Sequence, residues 1–157
     1  MFELGDDVVL TAQAQALIEG ERDTTAVLAN LSSLIFHNLP DLNWAGFYLF
    51  KEGELVVGPF QGKPACYRIP LAKGVCGAAA RTGRTLRVDD VHAFADHIAC
   101  DSASNSELVV PIFHEGEVFG VLDLDSPKLA RFSMADEQLM AQVVQVLETH
   151  LSVHGIN

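Results

Sequence analysis

The hydrophobic period of this chain changes twice, and those changes constrain the fold more than any other feature. Before Asn43 the apolar residues recur at helical spacing; from Asn43 they gather into short runs; after Ser133 the helical spacing returns. A period near 3.6 buries one stripe of a helix, whereas short runs bounded by turn residues bury the faces of a sheet. The order helix, helix, strands, helix predicts an α+β domain. Its central antiparallel sheet carries the N- and C-terminal helices packed together on one face. A length of 157 residues suits one core, so residues 1–157 are expected to form a single domain.

The segments can be read individually. Asp7 to Glu19 reads as a helix with Val8, Val9, Ala12, Ala16 and Leu17 as its stripe. Asp23 or Thr24 caps a second helix that buries Val27, Leu28, Leu31, Leu34, Ile35 and Leu39, with Pro40 just past its end. Trp44 to Phe50 and Glu54 to Phe60 flank the turn Lys51-Glu52-Gly53. Cys66 to Pro70 reads as a short strand, Gly74 to Thr82 as an Ala-rich helix ending at Gly83, and Thr85 to Val88 as another strand. The polar stretch Asp89 to Ser106 is long for a loop in a compact domain, and such loops are commonly functional. Leu108 to Phe113 and Val118 to Leu124 form a second hairpin around Glu115-Gly116. Ser133 caps a final helix to about Val153 with Leu139, Val143, Val146 and Leu147 facing inward.

Charge and cysteine usage exclude several classes. A formal charge of -11 repels phosphate backbones, which argues against nucleic acid as a partner. No apolar run approaches the roughly 20 residues of a membrane span. The stretch Met1 to Asp7 lacks the basic-then-apolar pattern of an export signal, so a cytoplasmic protein is expected. Three cysteines, Cys66, Cys76 and Cys100, with no C-x-x-C pair, do not suit a stapled extracellular scaffold or the usual zinc patterns. Inert thiols, a redox set, and an irregular metal site built from Cys66, Cys76, Cys100 and His97 remain open.

Three pieces can carry chemistry. In Gly120-Val121-Leu122-Asp123-Leu124-Asp125-Ser126, strand alternation sends Leu122 and Leu124 to one face. Val121, Asp123 and Asp125 go to the other, with the two carboxylates about 7 Å apart. Neighbouring like charges raise the proton affinity of one of them, so such a pair can hold a proton or bind a cation. In Trp44-Ala45-Gly46-Phe47-Tyr48 the same alternation puts Trp44, Gly46 and Tyr48 together. The glycine leaves a notch between two aromatic walls, suited either to a small amphipathic ligand or to ordinary core packing. The long loop holds Cys100 among hydroxyl and amide groups, with His97 three residues before it as a group that could favour the thiolate. Cys66 follows the turn-rich Gln61-Gly62-Lys63-Pro64, and Lys63 and Arg68 lie close enough in sequence to influence its ionisation. Spacing does not reveal whether Cys66 reaches Cys100.

Taken together these segments resemble the free methionine-(R)-sulfoxide reductases, which are GAF-fold enzymes. The resemblance rests on Asn43-Trp44-Ala45-Gly46-Phe47-Tyr48, Gly58-Pro59-Phe60-Gln61-Gly62-Lys63, Gly74-Val75-Cys76-Gly77 and Val88-Asp89-Asp90-Val91-His92. It is completed by His97-Ile98-Ala99-Cys100-Asp101, Ser104-Asn105-Ser106-Glu107 and the segment from Gly120 to Ser126, and it covers about Asn43 to Phe132. It implies a GAF-like domain in which Cys100 is the catalytic cysteine, Cys66 the main resolving cysteine and Cys76 a third cysteine of less settled role. It also places Trp44, Tyr48, Glu107, Asp123 and Asp125 in the substrate pocket. The implied substrate is free methionine sulfoxide and the implied reductant thioredoxin, with no metal and no organic cofactor; a homodimer is left open. A competing expectation is a GAF-type domain that binds a small ligand without turning it over.

Overall fold

The computed structural model describes residues 4–98, 100 and 102–157. Expectations that fall on residues 1–3, on the Val8 side chain, and on Ala99 and Asp101 of the long loop lie outside the described part. Helices α1 (Leu4–Ile18) and α2 (Thr24–Asn38) lead into strands β1 (Trp44–Lys51), β2 (Glu54–Gly62) and β3 (Arg68–Pro70). Helix α3 (Gly74–Thr82), β4 (Leu86–Val88) and a 3-10 turn at Val91–Ala93 follow, then β5 (Ser106–His114), β6 (Glu117–Ser126) and α4 (Met134–His154).

The helix ends obey local chemistry. Asp23 accepts a hydrogen bond from the Ala26 N–H, filling an otherwise unpaired donor of the first turn of α2. Leu39 leaves that helix with an extended backbone, as the residue before Pro40 must. Ser133 and Asp136 form a reciprocal capping box at the start of α4. Both hairpin turns place two successive residues at positive φ, Glu52 and Gly53, then Glu115 and Gly116. That is the turn hand that matches the twist of paired strands.

The six strands form one antiparallel sheet in the order β3-β2-β1-β6-β5-β4. One face carries Ala45, Phe47, Leu108, Val110, Ile112, Leu122 and Leu124, buried against α1, α2 and α4. The opposite face carries Trp44, Tyr48, Val109 and Val121, covered by α3 and the segments around it. This is the expected arrangement of terminal helices on one face. The first helix differs in its stripe. Leu10, Ala14 and Ile18 are buried, whereas Val9 and Leu17 are 52% and 42% exposed and Ala12 and Ala16 lie outside the core. Apolar residues fall on several sides of helix α1, so periodicity alone could not choose its inner side.

Several strand boundaries also differ by a residue or more, and three of them matter. Strand β5 begins at Ser106 and not at Leu108, so Glu107 stands on a strand instead of in a loop. Strand β3 begins at Arg68, which leaves Cys66 in the connection before it. Strand β2 runs on to Gly62, past a register shift opposite Gly46 and Tyr48. That irregularity accounts for the glycine in β1. A Cβ on Gly46 would lie 2.3 Å from Phe60 Cβ and 2.6 Å from Phe60 Cα. The backbone of β2 occupies the expected notch, and the Phe60 ring stacks on Trp44 with 5.0 Å between centroids. The notch is therefore a packing device that supports Trp44, and a ligand does not enter there.

Candidate active site

Strand register assembles the site. In the β1–β6–β5 ladder Trp44 pairs with Asp125, and Asp125 pairs with Glu107; in the next row Gly46 pairs with Asp123, and Asp123 with Val109. Alternation then points Trp44, Asp123, Asp125 and Glu107 off the same face, away from the three-helix side. The paired aspartates thus behave as the sequence alternation requires, and Glu107 joins them because β5 starts early enough to carry it.

Helix α3 closes this face. It is buried from Gly74 to Ala80, and its Cys76 is 3% exposed. The Cys76 thiol donates to Glu107 Oε2 at 3.7 Å. The long loop arrives from the other side and is tied at both ends. The Gly74 N–H donates to the Asp96 carbonyl at 2.8 Å, and the Asn105 N–H to the Ser126 carbonyl at 2.8 Å. The Asn43 amide donates to the Ser104 hydroxyl at 3.0 Å. The Asn105 amide donates to the Pro127 carbonyl at 2.7 Å, and its carbonyl oxygen meets His92 Nε2 at 3.0 Å.

Between these elements lies a cavity of about 50 Å³. Trp44, Tyr48, Cys76, Cys100, Glu107, Asp123 and Asp125 all line it, so seven of the eight residues that the resemblance assigned to the site meet there. The eighth, Cys66, is joined to Cys100 by a disulfide, with 5.3 Å between their Cα atoms. The Tyr48 hydroxyl donates to the Cys66 carbonyl at 3.0 Å, anchoring the segment that bears that cysteine. The structure is thus the oxidised form. Two of the three sulfurs in the imagined set of Cys66, Cys76, Cys100 and His97 are consumed by the Cys66–Cys100 bond, and that set does not exist as a metal site here.

Electrostatics in the cavity are unusual. Burial pushes the Asp123 carboxyl well above the usual carboxylate range, and neighbouring Asp125 pushes it further. Burial and then Asp123 raise Glu107 in the same direction. The Cys76 thiol is driven up by burial, by Asp123 and by Glu107, so it stays protonated and serves as a donor rather than a nucleophile. Burial, with Asp123 as the next cause, also keeps the Tyr48 phenol protonated. Asp123 Oδ1 is buried without a hydrogen-bond partner. A buried carboxylate oxygen left unpaired is costly, and a cationic ligand would repair it. Cys76, Glu107 and Asp123 each place one donor atom within 4.8 Å of the others, so this wall has the chemistry to receive a cation or an ammonium group.

Two expectations about charge need correction. Burial and His92 push His97 below its ordinary pKa, so it lines the cavity mainly as neutral imidazole and does little to hold a thiolate. Arg68 pairs across the sheet with Glu54 at 3.4 Å and is thus already engaged. Other cavity residues gave no chemical signal in the sequence: Ala65, Ile69, Val75 and Ile98 supply apolar wall, and Ser104 is a buried hydroxyl. Their roles depend on tertiary placement and on nothing local.

Comparison with known proteins agrees with this geometry. The GAF domain family matches residues 14–151. The chain is 50% identical over 143 residues to the free methionine-R-sulfoxide reductase of Escherichia coli, covering 91% of this chain and 87% of that protein. It is 40% identical over 141 residues to the Saccharomyces cerevisiae protein of the same name, covering 85% and 78%. Among solved structures, the fRMsr of Staphylococcus aureus in complex with substrate has a TM-score of 0.89 at 47% identity, over 93% of this chain and 95% of that one. The free methionine-R-sulfoxide reductase of Neisseria meningitidis in complex with its substrate has a TM-score of 0.90 at 41% identity, over 94% and 89%. With the fold, the acid-walled cavity and these likenesses in agreement, the chain belongs to the GAF-fold family of free methionine-R-sulfoxide reductases.

Proposed function

We propose that this protein reduces free methionine (R)-sulfoxide to methionine through a sulfenic acid on Cys100, resolved by Cys66 and recycled by a thioredoxin-type dithiol. The observation that carries this reading is the position of Cys100. Its side chain lines a cavity walled by Glu107, Asp123 and Asp125, and its sulfur is bonded to Cys66. An acid cage answers the ammonium group of a free amino acid, which a methionine inside a peptide lacks. Trp44 offers an apolar ring to the S-methyl group, and Tyr48 completes that wall.

The chemistry balances with the groups at hand. The reduced Cys100 thiolate attacks the sulfoxide sulfur as the oxygen takes up a proton; the oxygen then passes from the substrate sulfur to the Cys100 sulfur, and the temporary bond between the two sulfurs breaks. The raised proton affinities of Glu107 and Asp123 make a carboxyl proton available beside the reacting atoms. Methionine leaves, and the oxygen stays on Cys100 as a sulfenic acid. The Cys66 thiolate attacks that sulfur, the Cys66–Cys100 bond forms and water departs. A protein dithiol then returns two electrons by thiol–disulfide exchange. No helix among the described residues is long and apolar enough to cross a membrane. The cytoplasm, where reducing dithiols are abundant, suits the proposed recycling.

The test is an assay of the separated R and S sulfoxides, free and peptide-bound, with thioredoxin as reductant. Turnover confined to the free R epimer is expected. Binding of methionine sulfoxide without methionine release, in the fully reduced protein, would instead support a ligand-binding domain. Cys100→Ser is expected to release no methionine even in a single turnover.

A further inference from the structure

The disulfide has two unlike sides. Cys100 lines the cavity together with His97, Ile98 and Ser104, whereas Cys66 does not take part in the lining. Around Cys66, Ala65 lines the cavity, but Lys63, Pro64, Tyr67 and Arg68 are all exposed. Tyr67 is 80% exposed, although its backbone is pinned by the hydrogen bond that its carbonyl accepts from the Val57 N–H at 2.9 Å. An aromatic side chain in open solvent, on a backbone held by the sheet and next to a redox disulfide, is a poor arrangement for stability. It is a good one for recognition, because aromatic side chains bring large contact area at small entropic cost.

The charge of this segment supports the same conclusion. The chain as a whole carries 21 acidic and 10 basic residues. From Lys63 to Lys73, however, there are three basic residues and no acidic one. Of these, Arg68 is balanced by Glu54, while its side chain stays 60% exposed. A strongly acidic protein thus presents an acid-free, locally basic segment with an exposed aromatic at the one bond that an external reductant must reach.

We infer that Lys63, Pro64 and Tyr67 form the docking surface for a protein dithiol of the thioredoxin kind, with Cys66 as the sulfur attacked. This rests on the reductase reading above. Thiol–disulfide exchange requires the attacking sulfur to approach in line with the bond that breaks. Both cysteines are half-buried, but Cys66 is flanked by the exposed Lys63, Pro64 and Tyr67, whereas Cys100 lines the substrate cavity. The partner thiolate forms a mixed disulfide with Cys66 and expels Cys100 as thiolate, already facing the substrate cavity. The partner's second thiol then attacks the mixed disulfide, releases Cys66 and leaves the partner oxidised. Two electrons pass in, and the two thiols are restored. The partner's contact face is apolar around its dithiol and neutral or acidic at its rim.

Two measurements test this. Tyr67→Ala and Lys63→Glu are compared with the parent, using either thioredoxin or the small dithiol dithiothreitol as reductant. The KM for thioredoxin is expected to rise about tenfold for Tyr67→Ala, the scale of one interface hot spot. Turnover driven by dithiothreitol should stay within twofold. A thioredoxin whose second cysteine is replaced by serine should be trapped on Cys66, located by mass of the linked peptides. Equal effects of the substitutions with both reductants, no effect with either, or trapping on Cys100 would each overturn the proposal. Failure of the parent protein to make methionine with dithiothreitol would sink the reductase reading itself, and the docking surface with it.

Discussion

Asp123→Asn should make the protein more stable and less active at the same time. Asp123 is 4% exposed, and its Oδ1 has no hydrogen-bond partner. Leaving such an acceptor buried and unpaired costs about 1–3 kcal/mol. Asparagine keeps the shape, removes the charge and offers an amide N–H that the Glu107 or Asp125 carboxylate can accept. For a chain of this size each kcal/mol moves Tm by roughly 2–4 °C, so the variant should melt about 2–12 °C higher near pH 8. The gain depends on pH in a definite direction. The Asp123 carboxyl has a higher pKa folded than unfolded, through burial first and Asp125 second. Between those two values the folded state binds more protons, so the parent loses stability as pH rises through that window. The variant has no such proton to lose. Its advantage should therefore grow from acid toward alkaline pH and vanish below the unfolded carboxylate's range. The same substitution removes one charge-assisted contact to the substrate ammonium, worth about 1.5–3 kcal/mol. The corresponding fall in kcat/KM for free methionine sulfoxide is about 10- to 150-fold. Thermal melts across pH and steady-state kinetics together decide the matter. A lower Tm at pH 8, combined with unchanged kcat/KM, would refute the reasoning.

Three further outcomes are expected. Cys66→Ser should release one methionine per reduced protein molecule and then stop with thioredoxin; cycling at the parent rate would hand the resolving role to Cys76 or to direct reduction of the sulfenic acid. Gly46→Ala puts a methyl group against the β2 backbone at Phe60, an overpacking of about 1–3 kcal/mol, and should lower Tm by roughly 2–12 °C. A variant that melts like the parent would show that β1 and β2 separate freely. The Cys66–Cys100 bond spans 34 residues of chain and should contribute about 2–4 kcal/mol. Reduced protein should then melt roughly 4–16 °C below oxidised protein in paired scans; coincident melts would contradict this.

The sequence by itself determined the class of fold and most of the cavity's chemistry. Period changes at Asn43 and Ser133 separated helices from sheet, and strand alternation put Asp123 with Asp125 and Trp44 with Tyr48, because side-chain direction in a strand follows from parity alone. The resemblance supplied the pairing of Cys66 with Cys100, which no spacing argument could. Tertiary structure decided what depends on distant partners. The inner side of α1 was set by α2 and α4, since the helix is apolar on several sides. Gly46 turned out to serve the approach of Phe60, a contact between strands that parity does not describe. Glu107 became part of the acid wall only through the register of β5 on β6. The raised proton affinities of Glu107, Asp123 and Cys76 likewise arise from burial beneath α3, and burial is a property of the assembled protein rather than of any segment.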